Sequence, residues 1–290
     1  MSQPMHEGKP PELNRRKALQ VGCAMGGSLI GLPGLNDMSY AADNNEPADA
    51  AGKGIAEIRM KSDRVEELRQ FYEEALELPV KLDSDKLTVE AGTTRLIFSA
   101  TDHPADKEPF YHYAFNIPEN KIEAARQWQK ERTQLLRLGK KEVIHFSGVN
   151  AHSVYFNDPA GNIVEYIARH DLKNSASGEF SAKDILYASE IGLVVDDVGQ
   201  TVREIKDSLG FEYFKGGYRS DSFTAVGDAH ALLILVKRDR LWYPDKKQAA
   251  KVHPVQATIR GPGAGRLHHA DLDYKVDVKP GRNNRAGSED

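Results

Sequence analysis

Apolar and polar positions change period along this chain, and they do so in the same order more than once. From Glu57 to Lys61 they alternate as in a half-buried strand; then Val65, Leu68, Phe71, Tyr72, Ala75 and Leu76 recur at helical spacing. Residues 87–90 and 94–98 read as two strands around the turn Ala91-Gly92. The order strand, helix, strands returns with a strand over 110–117, a helix over 121–138 and strands at 143–146, 152–157 and 163–168. It starts a third time at Ser189, with a strand over 189–195, a helix over 198–209 and strands at 223–226 and 231–236. Units one and three align without a gap through the helix, pairing Glu57 with Glu190, Ile58 with Ile191, Asp63 with Asp196, Val65 with Val198 and Leu76 with Leu209, which identifies an internal duplication. After Trp242 the pattern weakens. Strands over 255–260 and 273–278 have no helix between them, so unit three lacks a full fourth partner.

Period-two geometry selects the chemistry. In His112-Tyr113-Ala114-Phe115-Asn116-Ile117 the bulky residues Tyr113, Phe115 and Ile117 share the face expected to pack under a helix, which leaves His112, Ala114 and Asn116 on the other. In the strand over 163–168, Val164 and Tyr166 take the helix side and Ile163, Glu165 and Ile167 the opposite one. A histidine and a carboxylate on separate apolar strands are costly to bury without a partner, and together they suggest a metal.

Composition bounds the alternatives. With 290 residues, 40% hydrophobic and 28% charged, the chain has enough apolar material for a real core. The formal charge of -4 and the lack of a dense Lys/Arg run argue against a nucleic-acid partner. The segment Asn14-Arg15-Arg16-Lys17-Ala18-Leu19-Gln20, followed by a Gly-rich, weakly apolar stretch to Leu35 and the small residues Ser39-Tyr40-Ala41-Ala42, resembles a twin-arginine export signal. That resemblance implies cleavage near Ala42, a periplasmic or otherwise exported protein, and no membrane association afterwards. Cleavage would remove Cys23, the only cysteine, so a metal in the mature chain would need nitrogen and oxygen ligands. The expected domains are a signal peptide over 1–42, a linker over 43–53, a domain of units one and two over 54–171, a linker over 172–184, a third module with carboxy-terminal strands over 185–279, and a tail over 280–290.

The three strand-helix-strands units, together with Asp158-Pro159-Ala160-Gly161-Asn162-Ile163-Val164-Glu165, resemble the vicinal oxygen chelate superfamily of glyoxalases, bleomycin resistance proteins and extradiol dioxygenases. The resemblance implies an α+β fold of βαβββ modules, two of them closing into an incomplete barrel, with a third related module beside them. It also implies one divalent metal held by strand residues. His112 and Glu165 match two of the family's ligand positions, and Glu57 falls where the first module carries another. A Glu57, His112, Glu165 set is oxygen-rich and favours Fe(II) or Mn(II) over Zn(II) or Ni(II). Ring-cleaving relatives point to His145 and His152 as acid-base candidates and Tyr155 as a partner of a bound oxygen; Arg59 and Asn116 are candidate substrate contacts. The implied function is a metal-dependent enzyme acting on a small organic substrate with neighbouring oxygens, dioxygenase-like or glyoxalase-, lyase- or epimerase-like. The alternative is a metal-free small-molecule binder of the bleomycin-resistance type, in which Arg59 and Lys61 hold an anion. Ordinary readings stand beside these: a hairpin turn for 158–162, ion pairing for Glu57, a structural role for Glu190. Unit three is also a candidate homodimer element.

Overall fold

The computed structural model describes residues 52–101, 108–261 and 263–281. The signal-like segment, most of the linker after it and nearly all of the expected tail lie outside the described residues.

Module one runs from β1 (Gly54–Ser62) through helix α1 (Val65–Gln70), which continues as a π-helical turn over Phe71–Ala75, to β2 (Val80–Asp83), β3 (Lys86–Ala91) and β4 (Thr94–Ala100). Module two comprises β5 (His112–Ile117), α2 (Ile122–Lys130), β6 (Leu135–Leu136), β7 (Ile144–Phe146), β8 (Ala151–Asn157) and β9 (Ile163–Arg169). Module three comprises β10 (Tyr187–Val195), α3 (Val198–Leu209), β11 (Phe223–Asp228) and β12 (Ala231–Lys237); β13 (Val255–Gly261), β14 (Gly265–His269) and β15 (Tyr274–Pro280) follow. The architecture is α+β, a mixed sheet built from βαβββ-like modules.

Local chemistry sets the helix ends. Asp197 caps α3 by accepting from the Gln200 N–H at 2.8 Å, and Gly210 ends it at φ 70°, a left-handed turn open to glycine. The helix expected over 121–138 stops at Lys130 because Leu135, counted in its apolar stripe, instead pairs with Phe156 in β8 and is buried there. A buried strand and a buried helical position leave the same apolar mark.

Within each module the first strand lies parallel to the last: β1 beside β4, β5 beside β9, β10 beside β12. Between modules the pairing departs from the expected barrel of units one and two. Instead β5 runs antiparallel to β10, joining modules two and three. The carboxy-terminal strands form a fourth module without a helix, in which β13 lies parallel to β15 and antiparallel to β1. The outer modules, one and four, therefore enclose an inner pair, two and three. Long-range pairing decided this, and nothing in the local pattern of units one to three distinguishes the two arrangements.

Alternation gives each strand a core face. Ile58, Tyr113, Phe115, Tyr166, Ile191 and Val276 contribute to one cluster that also takes Leu68, Tyr72 and Ile205 from the helical segments. A second cluster, including Tyr155, Ile163, Leu232, Ile234 and Trp242, lies on the opposite face of the inner pair. The turn over 158–162 is more than a hairpin. Asp158, buried, accepts from the Ala160 and Asn162 N–H groups at 3.0 Å and from the hydroxyls of Tyr72 at 2.9 Å and Tyr113 at 3.0 Å, so it ties module one's helical segment to β5. Burial pushes its carboxyl up to about 6 against those donors.

Candidate metal centre

Three strands of the inner pair each deliver one ligand-type side chain to a common point. Glu165 on β9 and Glu190 on β10 are both register partners of Ala114, one on either side of β5, and His112 lies two residues back on the same face. Ala114 has no side chain beyond Cβ, so the space between the carboxylates stays open. One nitrogen of His112 and one oxygen from each glutamate lie within 4.8 Å of one another, and all three residues are buried.

The imidazole is oriented for ligation. Its Nδ1 lies 3.0 Å from the Ile163 carbonyl, which can only accept, so Nδ1 carries a proton. Nε2 is then turned toward Glu165 at 3.6 Å and Glu190 at 3.8 Å. Burial disfavours the imidazolium, but Glu190 and Glu165 outweigh it and raise His112 above the usual histidine range. Burial, reinforced by the neighbouring Glu190 carboxylate and opposed by His112, lifts Glu165 to about 7. Glu190 is also penalised by burial, yet His112 and Arg169 prevail and hold it low. The donor set of one imidazole and two carboxylates, drawn together in a buried site, fits a divalent metal.

A second layer holds Glu190 in place. The buried Arg169 guanidinium pairs with it and donates from Nε to Asn116 Oδ1 at 3.2 Å. Ser189 donates to the same oxygen at 2.9 Å, while the Asn116 amide donates to the Tyr187 hydroxyl at 2.8 Å. Asn116 thus sits behind the carboxylate and acts on it through Arg169.

The three side chains open into a cavity of about 340 Å³ whose walls include Phe146, Tyr155, Phe214, Phe223, Ile234 and Trp242. Trp242 packs 5.3 Å from the His112 ring, an approach that Gly192 permits, since a Cβ there would lie 2.7 Å from the indole. Ile234 stands in module three where Glu165 stands in module two, so the fourth quadrant of the site is apolar.

Of the residues singled out from sequence, His112 and Glu165 meet here and Tyr155 lines the cavity as the cross-strand neighbour of Glu165. Glu57 does not reach the site. It lies on β1 in the outer pair, held by Arg59 at 2.7 Å and Arg95 at 2.8 Å, and its repeat equivalent Glu190 stands beside His112 instead. Arg59 is half exposed beside Glu57, away from the cavity. His145 and His152 stack on each other 4.3 Å apart and line no part of the cavity; in β8 the alternation that points Tyr155 inward turns His152 outward. Arg169, Gly192 and Trp242 carried no signal in the sequence; Glu190, expected to be structural, instead joins His112 and Glu165, and its one signal was its repeat equivalence to Glu57.

No family model matches the chain, and no curated protein matches it. Among solved structures, a protein of Bacillus subtilis subsp. subtilis str. 168 described as a "putative dioxygenase" superposes with a TM-score of 0.51 at 16% identity, over 79% of this chain and 86% of that one. The fold is that of the vicinal oxygen chelate proteins. Glyoxalase I from Zea mays gives a TM-score of 0.46 at 14% identity over 79% and 92% of the two chains, and a glyoxalase/bleomycin resistance protein/dioxygenase from Alicyclobacillus acidocaldarius gives 0.32 at 15% over 40% and 90%. For this vicinal oxygen chelate fold, function rests on the chain's own residues.

Proposed function

We propose that this protein is a mononuclear divalent-metal enzyme acting on a small, largely apolar organic substrate with two neighbouring oxygens. The observation that carries the reading is the buried convergence of His112, Glu165 and Glu190 at the floor of an apolar cavity. His112 would ligate through Nε2 and the glutamates through one oxygen each. When bound, the metal supplies Lewis acidity to the substrate's oxygen pair. Three protein ligands leave coordination positions free, which favours dioxygenase-like over glyoxalase-like chemistry. Phe146, Phe214, Phe223 and Ile234 exclude water and select an apolar body, while Arg169 holds Glu190 in its ligating position. Burial, with Glu165 and Glu190 nearby, pushes the Tyr155 hydroxyl far up, so it stays protonated and is placed to donate to a substrate atom beside Glu165.

Metal analysis of the purified chain after anaerobic reconstitution with Fe(II) or Mn(II) tests this. The expected content is about one ion per chain; less than about a tenth overturns it. The second reading, a metal-free binder, is favoured by one observation: His112 and Arg169 already balance the carboxylates, so the site is electrostatically satisfied without an ion. Metal content near zero with retained binding of apolar ligands selects that reading. The twin-arginine-like segment supports export as part of the same proposal; the mass of the chain recovered from a periplasmic extract checks cleavage near Ala42.

A further inference from the structure

Two arginines, Arg169 and Arg240, line the cavity together with His112, Glu165 and Glu190, and each rests against a phenylalanine of the wall. The Arg169 guanidinium lies 5.5 Å from the Phe214 ring centre and the Arg240 guanidinium 4.9 Å from that of Phe223. Only one of them has its charge taken. Arg169 pairs with Glu190 and donates to Asn116. Arg240 has no ion-pair partner among the described residues: the nearby basic residues Arg238 and Lys247 hold Asp196 and Asp245, and its own Nη1 reaches no more than the Leu241 carbonyl at 3.5 Å.

Backbone pairing brings Arg240 to this wall. The Trp242 N–H donates to the Gln248 carbonyl and the Ala250 N–H to the Arg240 carbonyl, both at 2.8 Å, and Leu241 bridges to Ala249. Residues 240–242 are therefore extended, with Arg240 and Trp242 on one face and the exposed Leu241 on the other. Trp242 packs against the His112 ring at 5.3 Å, so Arg240 joins the same cavity about 7 Å further along the chain, at the Phe223 wall.

The charge of the wall calls for an anion. Among the described residues, Glu165 and Glu190 are the carboxylates that line the cavity and Arg169 and Arg240 match them, so a charge added at His112 or by a divalent ion leaves the cavity positive. A chelated oxygen pair offsets that excess beside His112, while Arg240 stands apart over Phe223. We propose that Arg240 is a specificity residue of this site: it receives a carboxylate carried on the apolar body of the substrate, at the end remote from the oxygen pair. The proposal rests on the reading of His112, Glu165 and Glu190 as the metal centre. A planar guanidinium fork matches a carboxylate through two parallel N–H donations. A phosphate would bring a second charge, and no lysine and no other unpaired arginine lines the cavity to meet it.

The test is calorimetric binding to the full chain under anaerobic conditions, with and without reconstitution with Mn(II). The probes are protocatechuate and its neutral amide, protocatechuamide, which share the ring and the oxygen pair and differ in the carboxylate. Protocatechuate is expected to bind at least about tenfold more tightly than the amide, the range of a charge-assisted pair. Arg240→Gln should cut that preference to less than about threefold at unchanged metal content. Arg240→Lys, which keeps the charge without the fork, should fall between, and Arg203→Gln, at an exposed arginine on α3, should leave the preference whole. Melting curves establish that the variants are folded. Metal content below about a tenth of an ion per chain would remove the metal reading alone, because the two probes still compare on the metal-free chain. Equal affinity for both probes, binding of neither, or a preference that survives Arg240→Gln would overturn the assignment of Arg240.

Discussion

Glu57 and Glu190 are the same residue at the same point of a repeat, and their surroundings give them opposite roles. Two arginines neutralise Glu57, whereas Glu190 shares His112 with a second carboxylate in a dry cavity. Glu190→Gln and Glu165→Gln should therefore each abolish stoichiometric metal uptake, while Glu57→Gln leaves it intact; equilibrium dialysis with Mn(II) distinguishes these outcomes. Arg169→Met removes the group that holds Glu190 and should weaken metal affinity by roughly 10- to 100-fold, as loss of an outer partner does. Asp158 offers a separate test through stability. Its carboxyl is raised from 3.8 to about 6 by burial, so between those values the folded chain binds more protons than the unfolded chain. Stability conferred by this residue is therefore present at the acid end and lost as pH rises through about 6, by about 3 kcal/mol in all. Urea unfolding from pH 3.5 to 7.5 should show that fall in the native chain and a fall about 3 kcal/mol smaller in Asp158→Asn.

At the scale of elements, the site depends on two small residues that keep strands from filling their own cavity. Ala114 separates the two carboxylates, and Gly192 makes room for Trp242 over His112. Gly192→Ala forces the indole away and should cost about 1–3 kcal/mol with a shift in tryptophan emission. Ala114→Leu should block metal uptake while the chain still folds, read by metal content against melting temperature. The sequence made strand faces legible because period two is local: Tyr113, Phe115 and Ile117 lie in the helix-side core and His112 on the cavity side, as alternation requires. It was less informative about short elements. β2 pairs through four residues that are mostly exposed, and β14 carries Arg266, His268 and His269, so neither has the apolar density that marks a strand in isolation.

For the whole molecule, the decisive fact is nesting. Modules two and three are consecutive and pair directly, while β1 finds its antiparallel partner β13 about two hundred residues later. The duplication could be read from sequence, but that reading gave the ligand role to Glu57 and a structural role to Glu190, because which copy faces His112 depends on this long-range choice. Nesting also makes the carboxy-terminal strands responsible for closing module one. A chain ending before Val255 keeps His112, Glu165 and Glu190 but leaves one edge of β1 unpaired and strips cover from the core around Ile58 and Met60. That truncation should self-associate in gel filtration and lose its cooperative melting transition. A truncated chain that stays monomeric with an unchanged transition would show that β1 does not need β13, and the outer pair would then not be a closed unit.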